Sequence, residues 1–163
     1  MSNQVYSNSQ RKYYLYDTAY YNISADIGPI AIGGAEDLEF DVTLPTSTNT
    51  EMLTPGLSTI KVNYEGMYSI MANIGWDNAS SQETDIQISL LLDRPGVFSG
   101  LVLQLYQRRN ASNVQPNCQN LATTFYLYPN DTFRVRVQNI SGTPAETITV
   151  LSAVTNLIVN KIN

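Results

Sequence analysis

A chain of 163 residues is long enough for one domain whose core needs neither disulfide nor metal, and 43% hydrophobic with 14% charged residues describes an ordered fold with a sparsely charged surface. The formal net charge of −5 argues against a nucleic-acid coat, because neutralising phosphates takes clustered Lys and Arg. With no histidine, Ser-His-Asp, Cys-His and His-ligated metal arrangements are all excluded.

Residues 1–35 form a tyrosine-rich amino-terminal arm, and the expected domain spans 36–163. Six of the eleven tyrosines lie within residues 1–22: Tyr6, Tyr13, Tyr14, Tyr16, Tyr20 and Tyr21. Two readings stay open. Either Tyr13, Tyr14, Tyr16, Tyr20 and Tyr21 anchor the chain to a partner, tyrosine being apolar in body with a polar tip, or the arm folds back as an edge strand. The beginning of the chain shows no basic-then-apolar leader, so no secretion signal is expected.

Gly28-Pro29 and Gly33-Gly34 mark turns before the first comb of alternating apolar residues, Leu38, Phe40, Val42 and Leu44. A Thr- and Ser-rich loop follows over 45–56. Then come a strand over Ile60–Tyr64, a break at Glu65-Gly66, and a strand from Met67 to Trp76, where Trp76 is expected to cap one pole of the core. Asp77 to Thr84 reads as a polar loop and Ile86–Leu92 as the next strand. Asp93-Arg94-Pro95-Gly96 is a turn, since Pro pre-sets φ and Gly accepts positive φ.

Leu101–Tyr106 is apolar on both faces at Leu101, Val102 and Leu103, which predicts a central or interface strand. Arg108–Gln119 reads as a polar loop. Ala122–Leu127 and Thr132–Gln138 are strands flanking the turn Tyr128–Asp131, with Arg134 and Arg136 as solvent-side partners of Val135 and Val137. Two last strands span Thr147–Ser152 and Val154–Ile162. In the second, Leu157 and Val159 share one face and Ile158 and Ile162 the other, which predicts a core on one side and a neighbouring subunit on the other. No helix of useful length and no internal repeat is expected. Strands of this kind in series predict an all-β fold, two antiparallel sheets packed as a sandwich or jelly roll.

Chemistry-bearing clusters are sparse. Glu36, Asp37, Glu39 and Asp41 are close in sequence, but Glu39 and Asp41 fall on the solvent side of their comb, so a glycosidase-type pair is not expected. Asp77, Glu83 and Asp85 are read as solvated loop charge, with a calcium site as the alternative. Cys118 is the sole cysteine, expected to be a free and partly buried thiol. No run reaches the roughly 18 apolar residues that span a bilayer. Five glycosylation-type triplets, at Asn22, Asn78, Asn110, Asn130 and Asn139, are read as coincidences of an Asn-, Ser- and Thr-rich composition.

Three stretches carry a likeness. They are Ile60-Lys61-Val62-Asn63-Tyr64-Glu65-Gly66-Met67-Tyr68-Ser69-Ile70, then Phe125 through Val137, and finally Thr155-Asn156-Leu157-Ile158-Val159. Together they resemble the C1q/tumour-necrosis-factor superfamily of ten-stranded jelly rolls. The first is similar to that family's strand-Gly-aromatic junction, the second to its β-hairpin, and the third to the last strand along its trimer axis. The sequence departs from the family at Asn130, where Gly is usual, and it lacks the Phe-x-Gly signature and any collagen-like repeat.

The resemblance implies a homotrimer. The interface is expected to draw on Leu101, Leu103, Leu157, Ile158, Val159 and Ile162. The amide-rich surface suits extensive protein contact, although AT-rich coding drift would enrich Asn and Tyr as well. The reading that follows is a non-enzymatic virion structural protein: a minor capsid, decoration, spike or fibre component assembled with other capsid proteins inside the host cell. No cofactor, metal, nucleic acid or membrane is expected as a partner. The alternative is a C1q-like or lectin-like head that binds a host receptor or glycan through 77–84 and 108–119.

Overall fold

The computed structural model describes residues 17–40, 52–55, 58–78, 83–109, 117–142 and 147–162. They form twelve strands and one turn of 3-10 helix, arranged as two antiparallel sheets packed face to face. The first sheet contains β1 (Asp17–Asn22), β2 (Ile27–Ala31), β6 (Gly66–Asn78), β9 (Asn117–Leu127), β11 (Thr147–Val150) and β12 (Asn156–Ile162). The second contains β3 (Ala35–Asp37), β4 (Leu53–Pro55), β5 (Ile60–Val62), β7 (Thr84–Arg94), β8 (Phe98–Arg109) and β10 (Thr132–Asn139).

Several strands are halves of one line. On one side of β6, β12 pairs with Met67–Asn73 and β11 with Trp76–Asn78, while β9 runs along the other side. Outside them, β1 pairs with β12 and β2 with β11. The interruption between β11 and β12 is the 3-10 turn Ser152–Val154, which folds over Gly75. A Cβ at Gly75 would stand 1.9 Å from Val154 Cγ2, so no larger residue fits beneath that turn.

Alternation builds the core as the sequence predicts. Tyr68, Ile70, Ala72, Ile74 and Trp76 of β6 face Ile86, Ile88 and Leu90 of β7 and Phe133, Val135 and Val137 of β10 across the sandwich, all fully or almost fully buried. Trp76 donates its indole N–H to Gln107 Oε1 at 2.7 Å.

Some expectations change. Among the described residues the sandwich already includes Asp17, ahead of the expected start at 36, because β1 and β2 complete one side of the first sheet and place Ala19, Tyr21, Ile23 and Ile30 in the core. Leu38 and Phe40 are buried without belonging to a strand, and the remainder of their comb lies outside the described residues. Part of the expected loop 108–119 is strand, since β8 reaches Arg109 and β9 starts at Asn117. Phe125 to Val137 is no hairpin: β9 pairs with β6 and β10 with β7, so the turn at Tyr128–Asp131 crosses from one sheet to the other. Asn130 takes positive φ, 74°, at that crossing.

Burial pushes the Tyr21 phenol up to about 12 from its ordinary 10.0. The neutral form is the one favoured by folding, so its stabilisation is complete below pH 10 and drains away as pH rises through 12. At about 1.4 kcal/mol per pKa unit, alkaline titration should remove about 2–3 kcal/mol. Denaturant melts of Tyr21→Phe and the native chain should diverge over that interval. Identical pH dependence would contradict the assignment.

Candidate interaction surface

The two outer faces of the sandwich differ in kind. On the second sheet, Asp37 receives Arg136 through two bonds, Nε to Oδ1 at 2.6 Å and Nη2 to Oδ2 at 3.0 Å, and Arg134 Nε lies 3.3 Å from its Oδ2. Donating hydrogen bonds to Asp37 raises the Arg136 pKa. Further along, Arg108 holds Asp85 and Glu83, each at 2.8 Å. This is a solvated, ion-paired surface of the ordinary kind.

The outer face of the first sheet carries no charged side chain through four successive cross-strand rows, which the ladder registers define. One row is Tyr126, Met67 and Ile162. The next is Thr124, Ser69, Asn160 and Thr18, in which the Thr18 hydroxyl donates to Asn160 Oδ1 at 2.7 Å. A third is Ala122, Met71, Ile158 and Tyr20. The fourth is asparagine throughout: Asn120, Asn73, Asn156 and Asn22. Asn120 Nδ2 donates to Asn73 Oδ1 at 2.6 Å, and Asn73 Nδ2 to Asn156 Oδ1 at 2.8 Å. Along each strand these positions have the opposite parity to the core-facing residues, so all point away from the core.

The expected interface residues divide between the two sides of β12. Ile158 is half-buried and Ile162 exposed on the neutral face, whereas Leu157 and Val159 are fully buried and belong to the core. No partner can reach those two without opening the sandwich. Leu103, half-buried on β8, packs against the core, and Leu101 lies on the same strand in register with Leu91. Among the anchoring tyrosines, Tyr20 stands opposite Ile158 on the neutral face, while Tyr21 is core. Tyr13, Tyr14 and Tyr16 lie outside the described residues. Cys118 is exposed on β9, because its strand parity turns it away from the core.

One pole of the sandwich gathers exposed aromatics. Tyr64, Tyr126 and Tyr128 are each a little under half exposed, with ring centroids of Tyr126 and Tyr128 5.0 Å apart. Arg94 lies 4.4 Å over the Tyr128 ring and Lys161 5.7 Å over Tyr64. Beneath them Asp131, 1% exposed, accepts Arg94 Nη2 at 2.8 Å and the Tyr128 backbone N–H at 2.9 Å.

The carboxylate clusters are taken up by structural bonds. Asp26, Glu36, Asp37 and Glu39 border an open depression, but Asp37 pairs with two arginines. Asp26 accepts the Ser152 N–H and hydroxyl, both at 2.7 Å, which lowers its pKa. The calcium alternative at Asp77, Glu83 and Asp85 meets a guanidinium where a cation would sit. Among the described residues no three metal-ligating side chains converge, and no helix is long and apolar enough to cross a membrane.

No protein-family model and no curated sequence matches the chain. Solved structures do. The crystal structure of murine APRIL at pH 8.0 superposes with a TM-score of 0.66 at 12% identity, over 90% of this chain and 99% of that one. The same protein at pH 5.0 gives 0.67 at 10% identity, over the same shares. Eiger TNF from S. frugiperda gives 0.64 at 15% identity, over 91% of this chain and 93% of its own. The fold is a TNF-like jelly-roll sandwich.

Proposed function

We propose that the chain is a non-enzymatic homotrimeric head whose copies meet through the neutral outer face of the first sheet. The observation that carries this reading is the contrast between the faces. One is ion-paired, as a wet surface is; the other lacks charge through four rows that alternate between apolar and neutral polar side chains. Depletion of charge at the centre of a patch is what sets contact surfaces apart from the rest of a protein's exterior. The likeness to a trimer-forming superfamily supplies the number three.

Within that reading, the role is a virion structural one: a minor capsid, decoration or fibre component that contacts other shell proteins. The amide-rich surface and the tyrosines preceding β1 support it. Asp17, the first residue of β1, pairs with Lys161 at the aromatic pole. The test is deletion of residues 1–16, which spares β1. Sedimentation should still give a trimer, and incorporation into particles should fall at least tenfold. Undiminished incorporation would reject the anchoring role. The second reading, a receptor- or glycan-binding head, is favoured by the Tyr64, Tyr126 and Tyr128 pole; glycan or receptor binding abolished by Tyr128→Ala would select it.

A further inference from the structure

The outer face of the first sheet is striped as well as uncharged, and the stripes have a spacing. Two residues along a strand, about 7 Å, exchange an apolar row for a polar one. Burial of carbon is non-directional, so an apolar face alone lets copies slide past each other. An amide row does not. Pressed against hydrocarbon it loses its partners, whereas against polar groups it keeps them.

Resting on the reading of this face as the contact between copies, we infer that the asparagine row built from Asn120, Asn73 and Asn156 sets the axial register in which those copies meet. Its bonds of 2.6 and 2.8 Å run in one direction across three strands and hold the amides as a unit. They use only part of the hydrogen-bonding capacity of each amide, which can both donate and accept. A shift of one row would set this unit against the apolar stripe containing Met71 and Ile158. A second copy is therefore the occupant the pattern suits: its own stripes repeat at the same interval. A single asparagine at a coiled-coil contact specifies register on the same principle.

Spin labels placed at Val97→Cys, an exposed turn position, with Cys118→Ser removing the native thiol, report distances between copies. With the native row, one narrow distance is expected. In Asn73→Leu/Asn156→Leu the distribution should broaden or gain a second component, while the oligomer persists. Asn120→Ala, at the exposed end of the row, is a milder version should the double variant unfold by circular dichroism. An unchanged narrow distance overturns the inference. Loss of the oligomer also overturns it, since the row would then supply attraction and not register. If the native chain shows no distance between copies, the reading of the face itself falls, and the inference with it.

Discussion

Ile158→Glu is expected to release folded monomers. Ile158 projects from β12 away from the core, between Met71 and Tyr20, so a carboxylate there leaves the sandwich intact when the chain is alone. In the assembled state it is a charge on a face that offers it no cation, and removing an unpaired carboxylate from water is severely unfavourable. A rise of at least about 100-fold in the dissociation constant, near 2.7 kcal/mol, is the expected scale. Size measured against concentration reads the effect, and a melt reports the fold. Leu157→Glu, one residue earlier, should instead unfold the domain, because Leu157 is fully buried. If the two variants behave alike, the division of β12 into a core side and a contact side is wrong.

Asp131→Ala is expected to destabilise by about 3 kcal/mol, the range for leaving one half of a largely buried ion pair without its partner. Asp131 fastens the crossing between the sheets. Its carboxylate takes Arg94 Nε at 3.1 Å and Nη2 at 2.8 Å, and the Tyr128 N–H at 2.9 Å, while its backbone carbonyl accepts the Val62 N–H at 2.8 Å. The Arg94 pKa is raised by its hydrogen bonds to this carboxylate. Arg94 remains 26% exposed and can turn to water, which keeps the loss at the low end of the range. For a domain of this size the melting temperature should fall by roughly 10 °C. Asp131→Asn, which retains an acceptor for Tyr128, should lose less. A melt within a degree or two of the native chain would show that the crossing is held by backbone alone.

The strands with strong alternation were legible in the sequence: β6, β7 and β10 stand where the combs stand. Period two states which side chains share a face, but not which sheet a strand joins. That is why Phe125 to Val137 read as a hairpin although its halves pair with β6 and β7. β1 was legible only as one of two open readings, an arm folded back as an edge strand, and β2 not at all. The reason is that Tyr20 and Tyr21 are both large and half-apolar, so alternation is blurred, and Gly28-Pro29 and Gly33-Gly34 punctuate the segment as a loop would. The two-sided apolar character of β12 was visible; that Leu157 and Val159 take the inner side follows only once the second sheet lies over them. The asparagine row could not be seen at all. Asn22, Asn73, Asn120 and Asn156 are scattered along the chain, and only the ladder registers of β1, β12, β6 and β9 bring them into line.

Oxidative footprinting of methionine, at a dose that leaves most chains unoxidised, reads the neutral face of the native sequence. Met67 and Met71 both point outward from β6, and Met67 is 40% exposed in a single copy. In the native chain at micromolar concentration Met71 should oxidise at least about tenfold more slowly than in Ile158→Glu, and dilution should restore its reactivity. Equal rates in the two proteins at every concentration would mean that water, and no second copy, covers this sheet.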